Sequence, residues 1–307
     1  MIIREIFRDC LVKYVFMKIT LSKYAGFCNG VQRACDIVEK ISKDKKVKRP
    51  IFVLGSLVHN NDVVKKIEKM GIKKIHFDGD FSKVFDSRRK IGTLVVTAHG
   101  IGPEFYKLAK EKNINIIDTT CPKVTRVQIL SKLFSEKKYQ VVIIGEKKHK
   151  EVKGIFEWSG KRAIIVDSEK DIKNIELSSK EKIIIISQTT QEKDLIRLIT
   201  EKLKTKFPKR VKSFNTLCNA TYNRQGEIKK TARNNDLVIV IGSPDSANST
   251  HLWKIAKRIN PRSYFIERAS DIKKNWLKNI EKIGISAGAS TPPWIIEEVC
   301  KFIENKL

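Results

Sequence analysis

Three passages of this chain share one layout. An extended segment runs into a cysteine, and a helix-like pattern follows it. KITLSKYAGFC ends at Cys28 and continues NGVQR; INIIDTTC ends at Cys121 and continues PKVTR; SFNTLC ends at Cys218 and continues NATYNR. The cysteines lie 93 and 97 residues apart. Two further landmarks keep the register. IFVLG, VVIIG and VIVIG end at Gly55, Gly145 and Gly242, which follow their cysteines by 27, 24 and 24 residues. LVVT, IIIIS and IGIS end at Thr97, Ser187 and Ser286, at 69, 66 and 68 residues. One recurrence could be chance; three landmarks at matched offsets mark an internal repeat. The fold expected is α/β, with three pseudo-repeated units, each carrying a cysteine on the loop face where such sheets bind ligands. A cysteine between a strand end and a helix N-terminus is also placed to be a thiolate, because the helix dipole favours negative charge there.

Finer patterning places strands near 50–55, 75–77, 94–97, 140–144, 163–166, 183–186, 237–241, 263–266 and 283–286. Helices are expected over 31–41, 62–70, 104–112, 123–138, 225–234, 251–259 and 294–305, with a short one near 271–278. Residues 1–16 precede a second methionine and the repeat does not need them, so they read as a dispensable extension. Residues 17–27 supply a strand joining the third unit. The units themselves run over 28–120, 121–214 and 215–307, with no Pro/Gly/Ser linker between them.

No apolar run approaches the ~18 residues of a membrane span, so a cytoplasmic protein without a membrane partner is expected. The net charge of +28 invites an anionic partner. The basic residues are spread over surface helices, not interleaved with aromatics, so nucleic acid is not expected as the main partner. The six cysteines include no CxxC pair, and no secretory signal precedes them, which argues against a disulfide framework. Cys35 and Cys300 fall in helical patterns and read as packed apolar residues; Cys10 has no role. Cys28, Cys121 and Cys218 remain. They suit zinc, an iron–sulfur cluster, or burial without metal. Structural zinc normally takes four ligands at short local spacings, which are lacking. Iron–sulfur clusters take thiolates, and a cubane held by three leaves one iron open to a substrate.

Polar loop residues follow the same register. His59, His149 and Ser246 stand four residues after the three glycines, and Glu151 and Asn248 stand six after theirs. His99 and Thr189 stand two after Thr97 and Ser187, and Ser290 stands four after Ser286. Histidines with Ser, Asn and helix N-terminal amides suit an anionic group such as a diphosphate. Glu151 is the one carboxylate among them. Desolvated beside an anion, it would hold its proton at neutral pH and act as a donor. Neither a P-loop nor a G-x-G-x-x-G is present, which argues against the common nucleotide folds.

GFCNGV, LVHNNDVV, TAHG, DTTCPKVT, HKEVKG, SQTT, CNATYNRQ, SANS and SAGAST, in that order from about Met17 onward, resemble the LytB/IspH family of 4-hydroxy-3-methylbut-2-enyl diphosphate reductases. The resemblance implies three lobes around a central [4Fe-4S] cluster, with Cys28, Cys121 and Cys218 as ligands and one open iron. It implies that His59, His99, His149, Ser246, Asn248 and Ser290 hold the diphosphate, and that Glu151 with Thr189 relays the proton. The reaction would be reductive dehydroxylation to isopentenyl and dimethylallyl diphosphate, the last step of non-mevalonate isoprenoid biosynthesis. The surplus of Lys and Arg would suit an acidic electron donor, reduced ferredoxin or flavodoxin. Two positions depart from the family pattern: Ala247 stands where a second serine is usual, and Lys150 where a proline is usual. Lys150 could meet the diphosphate or face solvent. Two other readings make different predictions. A hydratase using the open iron as a Lewis acid would consume no electrons. A basic RNA-associated protein would bind RNA with a steep salt dependence.

Overall fold

The computed structural model describes residues 17–77, 80–86, 90–177 and 182–305. The extension expected at 1–16, with Cys10, lies outside the described residues. The chain begins with β1 (Lys18–Leu21) and continues through α1 (Asn29–Lys43), β2 (Ile51–Leu54), α2 (Asn61–Lys69), β3 (Lys73–Ile75), α3 (Phe81–Val84), β4 (Thr93–Val96), α4 (Pro103–Glu111) and β5 (Asn115–Asp118). Then come α5 (Pro122–Glu136), β6 (Gln140–Ile144), α6 (Lys150–Trp158), β7 (Ile164–Val166), β8 (Ile183–Ser187), α7 (Lys193–Lys206) and β9 (Val211–Ser213). The last third holds α8 (Asn219–Asn234), β10 (Leu237–Ile241), α9 (Ala247–Ile259), β11 (Ser263–Ile266), β12 (Lys282–Ala287) and α10 (Pro293–Glu304). Among the described residues the strands form three four-stranded sheets, ordered β3-β2-β4-β5, β7-β6-β8-β9 and β11-β10-β12-β1, with every pairing parallel.

The apolar strands explain this arrangement. A parallel sheet is covered by helices on both faces, so its central strands have no polar face. In β6 and β8, Val142, Ile144, Ile183 and Ile185 enter one core, while Val141, Ile143, Ile184 and Ile186 enter the core on the opposite face. β10 divides in the same way, with Leu237, Ile239 and Ile241 on one side and Val238 and Val240 on the other. The period is that of a pleated strand.

The repeat is visible in single hydrogen bonds. The N–H groups of Gly55, Gly145 and Gly242 donate to the last residues of the neighbouring edge strands, Ile75 O at 2.7 Å, Val166 O at 3.0 Å and Ile266 O at 2.9 Å. The units are also interlocked. β5, the outer strand of the first sheet, leads to Cys121 and the second unit's α5; β9 of the second sheet leads to Cys218 and α8; β1 lies beside β12 in the third sheet and leads to Cys28 and α1.

Several boundaries differ from the sequence pattern. β1 stops at Leu21 and β9 at Ser213, so a bent segment separates each from its cysteine. β3 lies two residues before the apolar run at 75–77. α8 starts at Asn219, not 225, and α9 at Ala247, not 251, because Cys218 and Ser246 end the extended backbone there. Asn, Ser and Thr in these first turns are weak helix formers and obscure the start. The short helix near 271–278 is two 3₁₀ turns, Ala269–Asp271 and Lys274–Leu277. α7 is absent from the expected elements, although Leu195, Ile196, Ile199 and Leu203 have helical spacing and pack on the second sheet's core. Among the described residues, no helix is long and apolar enough to cross a membrane.

Candidate active site

The three cysteines hold equivalent positions. Cys28, Cys121 and Cys218 are the N-cap residues of α1, α5 and α8, each with extended backbone, and Pro122 takes the first helical position behind Cys121. Each cysteine N–H reaches back to the loop that ends the previous sheet, donating to Ala289 O at 3.2 Å, Ala98 O at 3.0 Å and Thr189 O at 3.0 Å respectively. The three sulfurs are thereby aimed at one point from three units. Gly30 makes room for this approach: a Cβ there would lie 2.7 Å from Cys121 Sγ and 3.9 Å from Cys28 Sγ.

Burial pushes the Cys121 thiol up, the amides of Lys123 and Val124 pull it down, and charge on Cys28 and Cys218 would push it up again. Three thiolates this close repel one another unless a cationic centre lies between them. The donor set therefore fits an iron–sulfur cluster, with soft ligands, helix N-termini and unanswered mutual repulsion. Cys35 and Cys300 stand apart and pack against apolar clusters, as the helical pattern implies. Burial pushes the Cys35 thiol up to about 11, so it stays protonated.

One cavity is lined by the three cysteines together with His59, His99, His149, Glu151, Thr189, Ser246, Asn248 and Ser290. All the residues singled out from the repeat register thus meet in one place. The imidazoles form a cluster with ring centroids 4.5 Å apart for His59–His99, 5.6 Å for His99–His149 and 6.2 Å for His59–His149. Burial and then the Lys150 charge lower His59 to about 4; burial and then His59 lower His149 to about 4; His99 is held well below the usual range. All three are neutral at neutral pH. His149 caps α6 by accepting the Glu151 N–H on Nδ1 at 3.2 Å, so its own proton sits on Nε2. With a ligand atom from each within 4.8 Å of the others, the three rings are able to grip either a metal ion or the oxygens of an anion.

Opposite the histidines, Ser246 caps α9. Its Oγ accepts from Ser249 N at 3.4 Å and Ser249 Oγ at 3.0 Å, and lies 3.4 Å from Ser290 Oγ. Ser290 Oγ also donates to His59 O at 3.1 Å, tying the third unit to the first. Asn248 Oδ1 and Nδ2 and His99 Nδ1 are buried without a partner in the protein. A buried amide with both ends open is costly unless a ligand completes it. These groups, with the positive end of α9, favour an anion over a bare cation.

Glu151 is 2% exposed and is the only carboxylate in this lining. Its two oxygens accept from Thr189 N at 2.6 Å and Thr189 Oγ1 at 2.8 Å. Burial raises its pKa to about 7 against the lowering effect of those bonds. It is therefore poised to give or take a proton.

Lys150 puts its charge beside this site, where it helps to lower His59. It is absent from the cavity lining and partly buried, with Nζ 2.9 Å from where a Cβ on Gly55 would lie. Ala247 does line the cavity, so the missing hydroxyl faces the ligand space. Thr190 and Thr221 also line it without having been singled out; both lie inside motifs already quoted. His251 was harder to find. Its Nε2 bonds Glu146 Oε1 and its Nδ1 bonds Thr190 O, both at 2.9 Å, locking the His149 loop and the Thr189 loop to α9.

The chain matches the family model described as LytB protein over residues 19–304. It is 36% identical over 289 residues to the 4-hydroxy-3-methylbut-2-enyl diphosphate reductase of Clostridium perfringens, covering 94% of this chain and 98% of that protein. It is 38% identical over 283 residues to the Bacillus subtilis reductase of the same name, covering 91% and 88%. It also matches a longer Clostridium acetobutylicum relative of that name at 37% identity, spanning 94% of this chain but 44% of that one. Its backbone superposes on the E-1-hydroxy-2-methyl-but-2-enyl-4-diphosphate reductase of Plasmodium falciparum with a TM-score of 0.85 at 34% identity, covering 94% and 87% of the two chains. A second solved reductase, titled the terminal enzyme of the non-mevalonate pathway, gives a TM-score of 0.66 at 34% identity over 94% and 99%. With the motifs, the threefold plan and the full-length matches in agreement, the chain belongs to the LytB family, whose members are iron–sulfur enzymes.

Proposed function

We propose that this protein reduces 4-hydroxy-3-methylbut-2-enyl diphosphate to isopentenyl and dimethylallyl diphosphate in the cytoplasm. The observation that carries this reading is the single cavity in which three helix-capping cysteines, three neutral histidines and one buried carboxyl with a pKa near 7 converge. Cys28, Cys121 and Cys218 are the ligands of a [4Fe-4S] cluster. When bound, such a cluster supplies electrons one at a time and an open iron for the substrate hydroxyl. The electrons come from reduced ferredoxin or flavodoxin. The free cysteines suit the reducing interior of a cell.

The protein's own groups bind, orient and move protons. The imidazole N–H groups of His59, His99 and His149 donate to the diphosphate, as do the Asn248 amide and the Ser246 hydroxyl, and the Ser290 hydroxyl joins them by turning from His59 O. Held at that end, the substrate directs its hydroxyl toward the cysteines. Glu151, once protonated, donates to the Thr189 hydroxyl in place of accepting from it, and that hydroxyl turns to pass its own proton to the substrate oxygen as the C–O bond breaks, so water leaves. A second proton goes to the allylic carbon skeleton. The balance is two electrons and two protons in, and one water out.

The decisive experiment uses anaerobically purified protein. Iron and sulfide are assayed, then turnover of the hydroxylated diphosphate is followed with and without a reductant. About four irons per chain, and two electrons consumed per product formed, is the expected outcome. Zinc in place of iron, or turnover that consumes no reductant, sinks the proposal; the second result would favour Lewis-acid hydration chemistry.

A further inference from the structure

Arg224 lies on α8 six residues after Cys218, and only 4% of it is exposed. Its guanidinium joins two of the cysteine loops. Nη1 donates to Ala220 O at 3.0 Å and Nη2 to Gly26 O at 2.6 Å. Ala220 is two residues after Cys218, and Gly26 is two residues before Cys28. Nε is buried and has no partner. None of the described carboxylates forms an ion pair with Arg224. Glu227, one turn further along α8, accepts the N–H groups of Lys23 and Tyr24 at 2.7 and 3.0 Å. Burial pulls the guanidinium pKa down, and the charges that would oppose this are those of Cys28 and Cys218, ahead of Glu227.

A buried cation with carbonyl partners alone is costly unless a negative group answers its charge. The guanidinium is bonded to carbonyls two residues from Cys28 and two from Cys218, so the negative group placed to answer it is whatever charge those two cysteines carry together with a bound cluster. We infer that Arg224 is the built-in counter-charge of the iron–sulfur cluster and raises its reduction potential. This rests on the function proposed above. Each added electron makes the cluster and its three thiolates more negative. A fixed positive charge in a dry surrounding therefore favours the reduced form, and bulk salt screens it little. Arg224 is not a catalytic residue; it acts through Cys28 and Cys218, whose loops it also spans.

The test compares Arg224→Gln and Arg224→Lys with the parent protein after anaerobic cluster assembly. Iron content is measured, and the potential is read from an EPR-monitored redox titration without substrate. The expected result is full iron in R224Q with at least a tenfold fall in the reduced-to-oxidised ratio at fixed potential, a negative shift of about 59 mV or more for a one-electron couple. R224K keeps the charge and recovers most of the shift. An R224Q that fails to load while R224K loads with a potential near that of the parent also supports a charge role. Unchanged potential in fully loaded R224Q overturns the inference. So do equal shifts in both variants, or loss of cluster from both, which would make the carbonyl clamp the whole role. A parent protein without iron is a different failure, that of the functional reading itself.

Discussion

Glu151 holds on to its proton because of where it is kept. Its neighbour Thr189 spends both N–H and hydroxyl on the two carboxyl oxygens, which should favour the charged form, yet burial outweighs them and leaves the pKa at about 7. The donor form is the protonated one, and it is depleted as pH rises. We expect kcat/KM to fall as pH rises through about 7, and Glu151→Gln to keep full iron but lose roughly 10²–10⁴-fold in turnover. Rate measurements across pH with iron assays check this; a Glu151→Gln enzyme near the parental rate would end the proton-relay role. This residue was legible in the chain because the repeat aligns it, six residues beyond its glycine, with Asn248. Arg224 was not. In sequence it is one more charge in a basic helix, and its significance comes from Gly26, which lies 198 residues away. The local hints are that it closes NATYNR as Arg33 closes NGVQR and Arg126 closes PKVTR, and that it falls within the buried stripe of α8 formed by Thr221, Gln225, Ile228, Thr231 and Ala232.

At the level of elements, the loops that carry the chemistry are fastened to helices of other units. The His251–Glu146 pair is the clearest fastening, since it joins α9 to the loop before α6 and to the Thr190 carbonyl. Both ring nitrogens face acceptors, which calls for the charged imidazolium. Burial disfavours that form, but the bonds to Glu146 and Thr190 outweigh it and raise the His251 pKa above 6.5; the same bond to His251 lowers Glu146 below 4.5. A raised histidine contributes stability in full below its unfolded value and loses it as pH climbs through the folded one. A lowered carboxylate contributes above its unfolded value and loses it as pH falls through the folded one. The pair therefore works best between those limits. With Glu146 partly exposed, His251→Gln should cost about 1 kcal/mol near pH 5–6 and less by about pH 8. Urea unfolding at the two pH values checks it; a cost that grows with pH would mean that the pair is not ionic. Elements were legible where buried β-branched runs left one choice, as in β6, β8 and β10. They were misplaced where polar first turns hid a helix start, as in α8 and α9, since a cap is defined by backbone geometry that composition reports weakly.

For the molecule as a whole, each sheet has its own cores, and the three cysteines are where the three units meet at one cavity. A group that binds the assembled protein and not the unfolded chain stabilises it in proportion to ln(1 + [L]/Kd). We therefore expect the iron-loaded protein to melt several degrees above the stripped protein, and Cys121→Ser to behave as stripped protein even after attempted loading. At ~1 kcal/mol per 2–4 °C for a protein somewhat smaller than this one, a tightly held cluster is readily seen by anaerobic calorimetry. Coincident melting curves for loaded and stripped protein would show that the metal adds nothing to the assembly. The threefold plan was legible because the offsets between cysteine, glycine and strand end were kept even where the residues themselves changed. What stayed hidden was the interlocking, since no local pattern says that an edge strand will serve one sheet while its cysteine serves the next unit.

That interlocking has a consequence for how the protein comes into being. β1 precedes every other strand of the fold, but its partner β12 spans residues 282–287, and the carbonyl that receives the Cys28 N–H belongs to Ala289. A nascent chain can complete its first and second sheets before β12 is made; the third must wait for β12. Under the proposed ligand set, a chain interrupted before β12 offers the assembly machinery two positioned thiols and a third still adrift.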